Sequence, residues 1–229
     1  MTPAPSIIRC DKCRYLRYTT NPPGNFNVPF DWILVHYAWM SFDGTDLDTR
    51  TAILGTGSEY DGQTVGWAEQ NTVGTGPNYY LQWGGDNTTP SGYESVLVNM
   101  KQLAIDFPLI STFELRLRTY WYRTRLDGNL TIQIQTFNGG TMVPFTTATG
   151  QTDWNNSGGT LSQLVTIPRN SPTGPTLMSV PGDEQGIITY TVAPRTATYT
   201  PPTFRRLTES GDIRETEDGL NERITEDGY

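Results

Sequence analysis

Two acidic stretches hold the residues of this sequence best suited to chemistry. The first is Asp43-Gly-Thr-Asp46-Leu-Asp48, and the second is Gly84-Gly-Asp86-Asn87 with Glu94 a short way on. Asp46 and Asp48 fall on the same side of an extended backbone, because side chains alternate along a strand. Carboxylates placed so close repel one another unless water or a cation lies between them. Calcium takes about six to eight oxygens, and Asp, Asn, Glu and turn carbonyls supply them. Neither stretch has the D-x-D-x-D-G spacing of an EF-hand loop. Judged on residue types alone, acidic turns of this kind are more often simply solvated.

Other reactive groups are sparse. Cys10-Asp-Lys-Cys13 has the spacing of half a zinc site, but His36 is the single histidine and no second half follows. Reduced thiols or a local disulfide fit those cysteines better. His36 sits between Val35 and Tyr37 in an apolar run and reads as a satisfied core histidine rather than a base. No G-x-S-x-G element accompanies it. Asp46, Asp86 or Glu94 could pair for glycoside chemistry, but calcium would compete for the same groups. The expectation is a protein that is not an enzyme. Tyr79, Tyr80, Trp83, Trp121 and Tyr122 could stack on a sugar, although strand aromatics more often fill a core.

The elements that must position these groups read as strands. Trp32 to Met40 is a β-branched and aromatic run, and Thr51–Leu54, Tyr79–Trp83, Val96–Met100, Phe113–Tyr122 and Leu130–Phe137 are further candidates. Phe113, Leu115, Leu117, Thr119 and Trp121 alternate with Glu114, Arg116, Arg118 and Tyr120, the period of a strand with one wet face. Leu130, Ile132 and Ile134 repeat the pattern, and Asp127-Gly128-Asn129 between the two runs signals a hairpin turn. A weak helical pattern covers Lys101 to Phe107. Six or more such strands with polar, Gly-rich connections predict an all-β antiparallel sandwich.

Composition divides the 229 residues into four parts. Residues 1–29 form a proline-rich, extended N-terminal arm, and 30–140 form the sandwich core. Residues 141–204 are a Thr/Pro/Gly-rich extension that continues the sandwich, with edge strands or extended contacts at Leu161–Ile167 and Ile187–Val192, passing into a linker near Pro194 to Pro202. Residues 205–229 repeat an R-x-T-E-x-G pattern headed by Arg206, Arg214 and Arg223. Four arginines face eight carboxylates there, a net −4 that is half of the chain's −8. With so few apolar residues the tail cannot offset its chain entropy alone. It is expected to order against a neighbouring subunit.

The order D-L-D, then G-D-N, then an acidic residue and a strand resembles the tellurium-resistance TerD-type calcium-binding domain. The matching residues are Asp46-Leu47-Asp48, Gly85-Asp86-Asn87, Glu94 and Val96 to Met100, and the likeness spans roughly residues 30–140. That resemblance implies a TerD-like β-sandwich with calcium at one end. Asp46, Asp48, Asp86, Asn87 and Glu94 are then the candidate ligands. The chain lacks the family's denser acidic run after G-D-N and has Thr-Thr-Pro-Ser-Gly-Tyr instead, which implies a weaker or single site.

A net charge of −8 argues against nucleic acid as the main ligand, since phosphate neutralisation wants the opposite sign. No apolar run of membrane-spanning or signal-peptide length is present. Low charge density (17%), interlocking-type ends and tail repeats similar to those of some tailed-phage proteins lead to one expectation. It is a virion structural protein (capsid decoration, tail-associated or fibre) assembled in the host cytoplasm, with other virion subunits and copies of itself as partners. Two alternatives stand beside it: a cellular calcium-binding stress protein, and a glycan-binding module used in adhesion.

Overall fold

In a computed structural model the apolar runs become the long strands of two six-stranded antiparallel sheets. The structure describes residues 24–42, 44–122, 128–169 and 183–202, together with the backbone of two short tail strands. The first sheet contains β1 (Asn25–Phe26), β3 (Leu47–Leu54), β4 (Thr64–Gly66), β8 (Thr112–Trp121), β13 (Asp183–Thr191) and β14 (Thr196–Thr200). Its order is β1-β14-β13-β8-β3-β4. The second contains β2 (Trp32–Ser41), β5 (Thr72–Val73), β6 (Leu81–Trp83), β7 (Ser91–Asn99), β9 (Gly128–Asn138) and β12 (Thr160–Arg169). Its order is β12-β9-β2-β7-β6-β5.

The sheets close on a shared interior. Ile33, Val35, Tyr37, Val96, Val98, Ile132 and Ile134 from one sheet meet Phe113, Leu115, Leu117, Ile188 and Tyr190 from the other. Burying a large apolar side chain contributes about 1.5–3 kcal/mol, so these alternating rows are the main source of stability. The helical signal is realised as α1 (Met100–Asp106), capped by the Asn99 side chain, which accepts from the Gln102 N–H, and anchored by buried Met100 and Leu103. A hairpin of β10 (Thr141–Thr146) and β11 (Thr152–Ser157) lies on the outer face of the second sheet. There Met142 and Trp154 pack on Leu34, Leu97 and Phe137. The all-β sandwich read from the sequence is what the chain forms.

Two sequence expectations need correction. The turn signal at Asp127-Gly128-Asn129 does not join a hairpin, because β8 and β9 lie in different sheets. Both flanks of β8 are taken by β3 and β13, and both flanks of β9 by β2 and β12. The apolar rows of β8 and β9 therefore face each other across the interior instead of lying side by side. A turn motif is local and carries no information about which sheet the chain enters next.

The extension continues the sandwich, as expected, but not as edges alone and without the linker read at Pro194 to Pro202. β12 is an edge strand, but β13 lies inside its sheet between β14 and β8. The sandwich thus runs on to Thr200, and Pro194 lies in the turn joining β13 to β14. At the other end β1 pairs with β14, so Phe26 and Phe30, read as arm and core boundary, are both fully buried. Of the tail, the structure describes only β15 (Arg206–Leu207) and β16 (Ile213–Arg214), which pair antiparallel. Arg223 and the remaining repeats lie outside the described residues. Among the described residues no helix is long and apolar enough to cross a membrane.

Candidate metal centre

The candidate site lies where the start of β3 meets the connection from β6 to β7. Asp46 immediately precedes β3, and Asp48 is its second residue. Asp86 lies on the connection from the neighbouring sheet. One carboxylate oxygen from each of Asp46, Asp48 and Asp86 lies within 4.8 Å of the others. Backbone bonds fix the two approaches: the Asp46 carbonyl accepts from the Tyr122 N–H at 3.1 Å, and the Asp86 carbonyl accepts from Gln151 Nε2 at 2.8 Å. Close packing supports β3 from its other side. A Cβ on Gly66 (φ +135°) would come 2.0 Å from the Thr49 carbonyl, so only glycine allows this approach.

Asp48 is fully buried and Asp46 nearly so, whereas the Asp86 side chain reaches solvent. Loss of water around its carboxyl still pushes the Asp86 pKa up, with a hydrogen bond to Glu94 opposing the shift. Three carboxylates gathered at the boundary of the core are a hard-oxygen donor set. That set suits calcium or magnesium rather than zinc, which favours sulfur and nitrogen ligands. Asp46, Asp48 and Asp86 are the residues that would hold the ion.

The other two residues proposed from the sequence adjoin this group: Glu94 reaches Asp86, but neither it nor Asn87 is among the three mutually close carboxylates. Glu94, on β7, is fully buried between the sheets. Its Oε2 accepts from Thr49 Oγ1 on β3 and from Trp83 Nε1 at 3.1 Å, and its Oε1 accepts from the Asn87 N–H at 3.2 Å. Burial pushes the Glu94 carboxyl well above the usual range; those three donors pull it back, and the Asp86 charge adds to the rise. Asn87 is likewise occupied. Its Nδ2 donates to the Tyr93 carbonyl at 3.1 Å, and its Oδ1 accepts from the Thr89 N–H at 3.2 Å and Oγ1 at 2.7 Å. Both residues shape the connection that carries Asp86.

His36 is satisfied, as expected, but not in the core between the sheets. It lies on the outer face of β2 beneath the β10–β11 hairpin, where Nε2 is 3.0 Å from Asp153 Oδ1 and Nδ1 is 3.3 Å from Gln135 Nε2. A carboxylate only accepts, so His36 Nε2 carries a proton and donates it to Asp153. Tyr93 donates to the other Asp153 oxygen at 3.0 Å, and the Trp154 N–H donates to Oδ1 at 2.8 Å. Burial alone would raise the Asp153 pKa; the His36 bond and charge, with the Trp154 and Tyr93 donors, outweigh it and hold the carboxyl below its ordinary value.

The five aromatics do not make an exposed platform. Trp121 and Tyr80 are buried, Trp83 packs against the core, Tyr79 is half-buried, and Tyr122 is exposed. Cys10 and Cys13 lie outside the described residues. Thr49, Gln151 and Asp153 were not singled out in the sequence. Nothing in their spacing signals that Gln151 and Asp153, more than 60 residues beyond Asp86, fold back to brace its connection and His36.

Comparison with protein-family models, with curated proteins and with solved structures found no match to this chain.

Proposed function

We propose that this chain is a structural subunit of a tailed-bacteriophage virion that interlocks with copies of itself through its two ends. Calcium held by Asp46, Asp48 and Asp86 would tie the first sheet to the second. One observation supports the interlocking. The N-terminal arm and the C-terminal tail leave the sandwich side by side, from paired strands at one edge of the first sheet. Asn25 is the partner of Thr198, and the Tyr199 N–H donates to the Gly24 carbonyl at 2.8 Å. A proline-rich arm and a repeated acidic tail issuing from one edge give the subunit a polarised attachment end. A rigid sandwich with hard-oxygen ligands at the start of β3 is a scaffold for that end.

Sedimentation velocity of the full chain and of a chain ending at residue 204 tests the proposal. Self-association that weakens on shortening, with little change in melting, supports it. A full chain that remains monomeric up to its solubility limit overturns it.

A further inference from the structure

The outer face of the first sheet carries a row of arginines on an otherwise acidic protein. Arg118 on β8 stands directly opposite Arg50 on β3, and Arg116 lies two residues before it on the same side of the strand. Like charges directly opposed across strands destabilise a sheet unless something answers them. Two of the three are answered. Arg50 is 3.5 Å from Glu69, donates to the Trp67 carbonyl at 3.1 Å and lies over the Tyr120 ring. Arg116 is 3.3 Å from Glu184.

Arg118 differs. Glu184 is its cross-strand partner on β13, yet that carboxylate reaches diagonally to Arg116. Among the described residues no carboxylate lies within ion-pairing distance of Arg118, which is half-buried. Loss of water and the neighbouring Arg116 and Arg50 charges pull its pKa down, with Glu184 opposing. An arginine stays charged regardless, and its planar fork matches a carboxylate.

The same face lies beside the exit of the tail. Thr200 pairs with Ile187, and Ile187 pairs with Arg116, so the last residue of β14 is level with Arg116 two strands away. That is about 10 Å at the spacing of neighbouring strands. β14 runs parallel to β8, so Pro201-Pro202, a stiff pair, carries the chain on towards the level of Arg118. The segment beyond holds half of the chain's net negative charge.

We propose that Arg116 and Arg118 form the receptor for the acidic tail, residues 205–229, of a second copy of this chain. The inference rests on the interlocking read above and names the surface that performs it. Receptor and donor lie on one patch, which is the condition for a reciprocal two-fold exchange in which each copy's tail reaches the other's arginines. The prolines favour a second copy over the chain's own tail, because a stiff Pro201-Pro202 pair resists the sharp turn needed to fold back onto its own sheet.

Charge reversal in the full chain tests this. Arg116→Glu with Arg118→Glu should weaken self-association about tenfold at low salt, and so should Glu215→Arg with Glu217→Arg and Asp218→Arg. Mixing the two variants should restore association, since each then offers what the other lacks. Melting of each variant alone checks that it is folded; Arg116→Gln with Arg118→Gln replaces a reversal that is not. A wild-type chain that does not self-associate removes the interlocking reading and this one with it. Wild-type association that the arginine changes leave intact overturns the receptor alone. Association restored when both reversals sit in one chain, but not on mixing, assigns the tail to its own subunit and overturns the exchange.

Discussion

Glu94 on one sheet accepts a hydrogen bond from Thr49 on the other, so a buried carboxylate ties the two layers together. Its oxygens also accept from Trp83 and from the backbone of Asn87. The connection bearing Asp86 is therefore fastened to the core through Glu94, and the start of β3 is fastened to the same atom group.

Thr49→Val keeps the side-chain shape but leaves Glu94 one donor short. Leaving a buried acceptor without its donor costs roughly 1–3 kcal/mol. Glu94→Gln should also destabilise. Because the residues are in contact, the double variant should lose less than the sum of the two. Urea denaturation of the four proteins measures this, and strict additivity would show that the contact carries no energy.

A metal held by Asp46, Asp48 and Asp86 stabilises the folded chain by mass action, by about 2.7 kcal/mol at a hundredfold excess over Kd. Melting should therefore rise from chelator to millimolar calcium, and Asp48→Asn should remove most of the rise. Glu94→Gln should melt lower in chelator and shrink the calcium increment less than Asp48→Asn does, since Glu94 adjoins Asp86 but lies outside the three-carboxylate group. Identical wild-type melts with and without calcium would contradict the assignment.

The Asp153 carboxyl, bound by His36, Tyr93 and the Trp154 N–H, is held below its ordinary pKa. Between its folded value and the ordinary carboxylate value the unfolded chain binds more protons than the folded one. The stability it contributes is present above the ordinary value and is lost as pH falls through the folded value. Asp153→Asn should destabilise at neutral pH by about 1–3 kcal/mol, by leaving buried donors short. It should also flatten the acid limb of the stability curve. Equal acid sensitivity in both proteins would assign that limb to other carboxylates.

Strand identity was legible wherever one face is apolar and the other polar. Phe113, Leu115 and Leu117 are buried and Glu114, Arg116 and Arg118 half-exposed, as their alternation requires. Pairing was not legible, because period 2 fixes which side faces inward but not which strand lies alongside. β13 and β14 were underrated for a related reason. Their inward residues, Ile188, Tyr190, Ala197 and Tyr199, are separated by threonines within a Thr- and Pro-rich stretch. At the site, Asp46 and Asp48 followed from extended-chain geometry, and Asp86 was proposed along with them. Glu94 and Asn87 have the same oxygen chemistry as ligands, and only their hydrogen-bond partners distinguish them from the three that converge.

The central claim is that this chain is built into a particle. Mass spectrometry of purified virions from the chain's source, with immunogold labelling by an antibody against the sandwich, measures that directly. The account predicts the chain in many copies per particle, with label at regular positions on intact virions. Its recovery only from the soluble fraction of the host, with unlabelled particles, would contradict it.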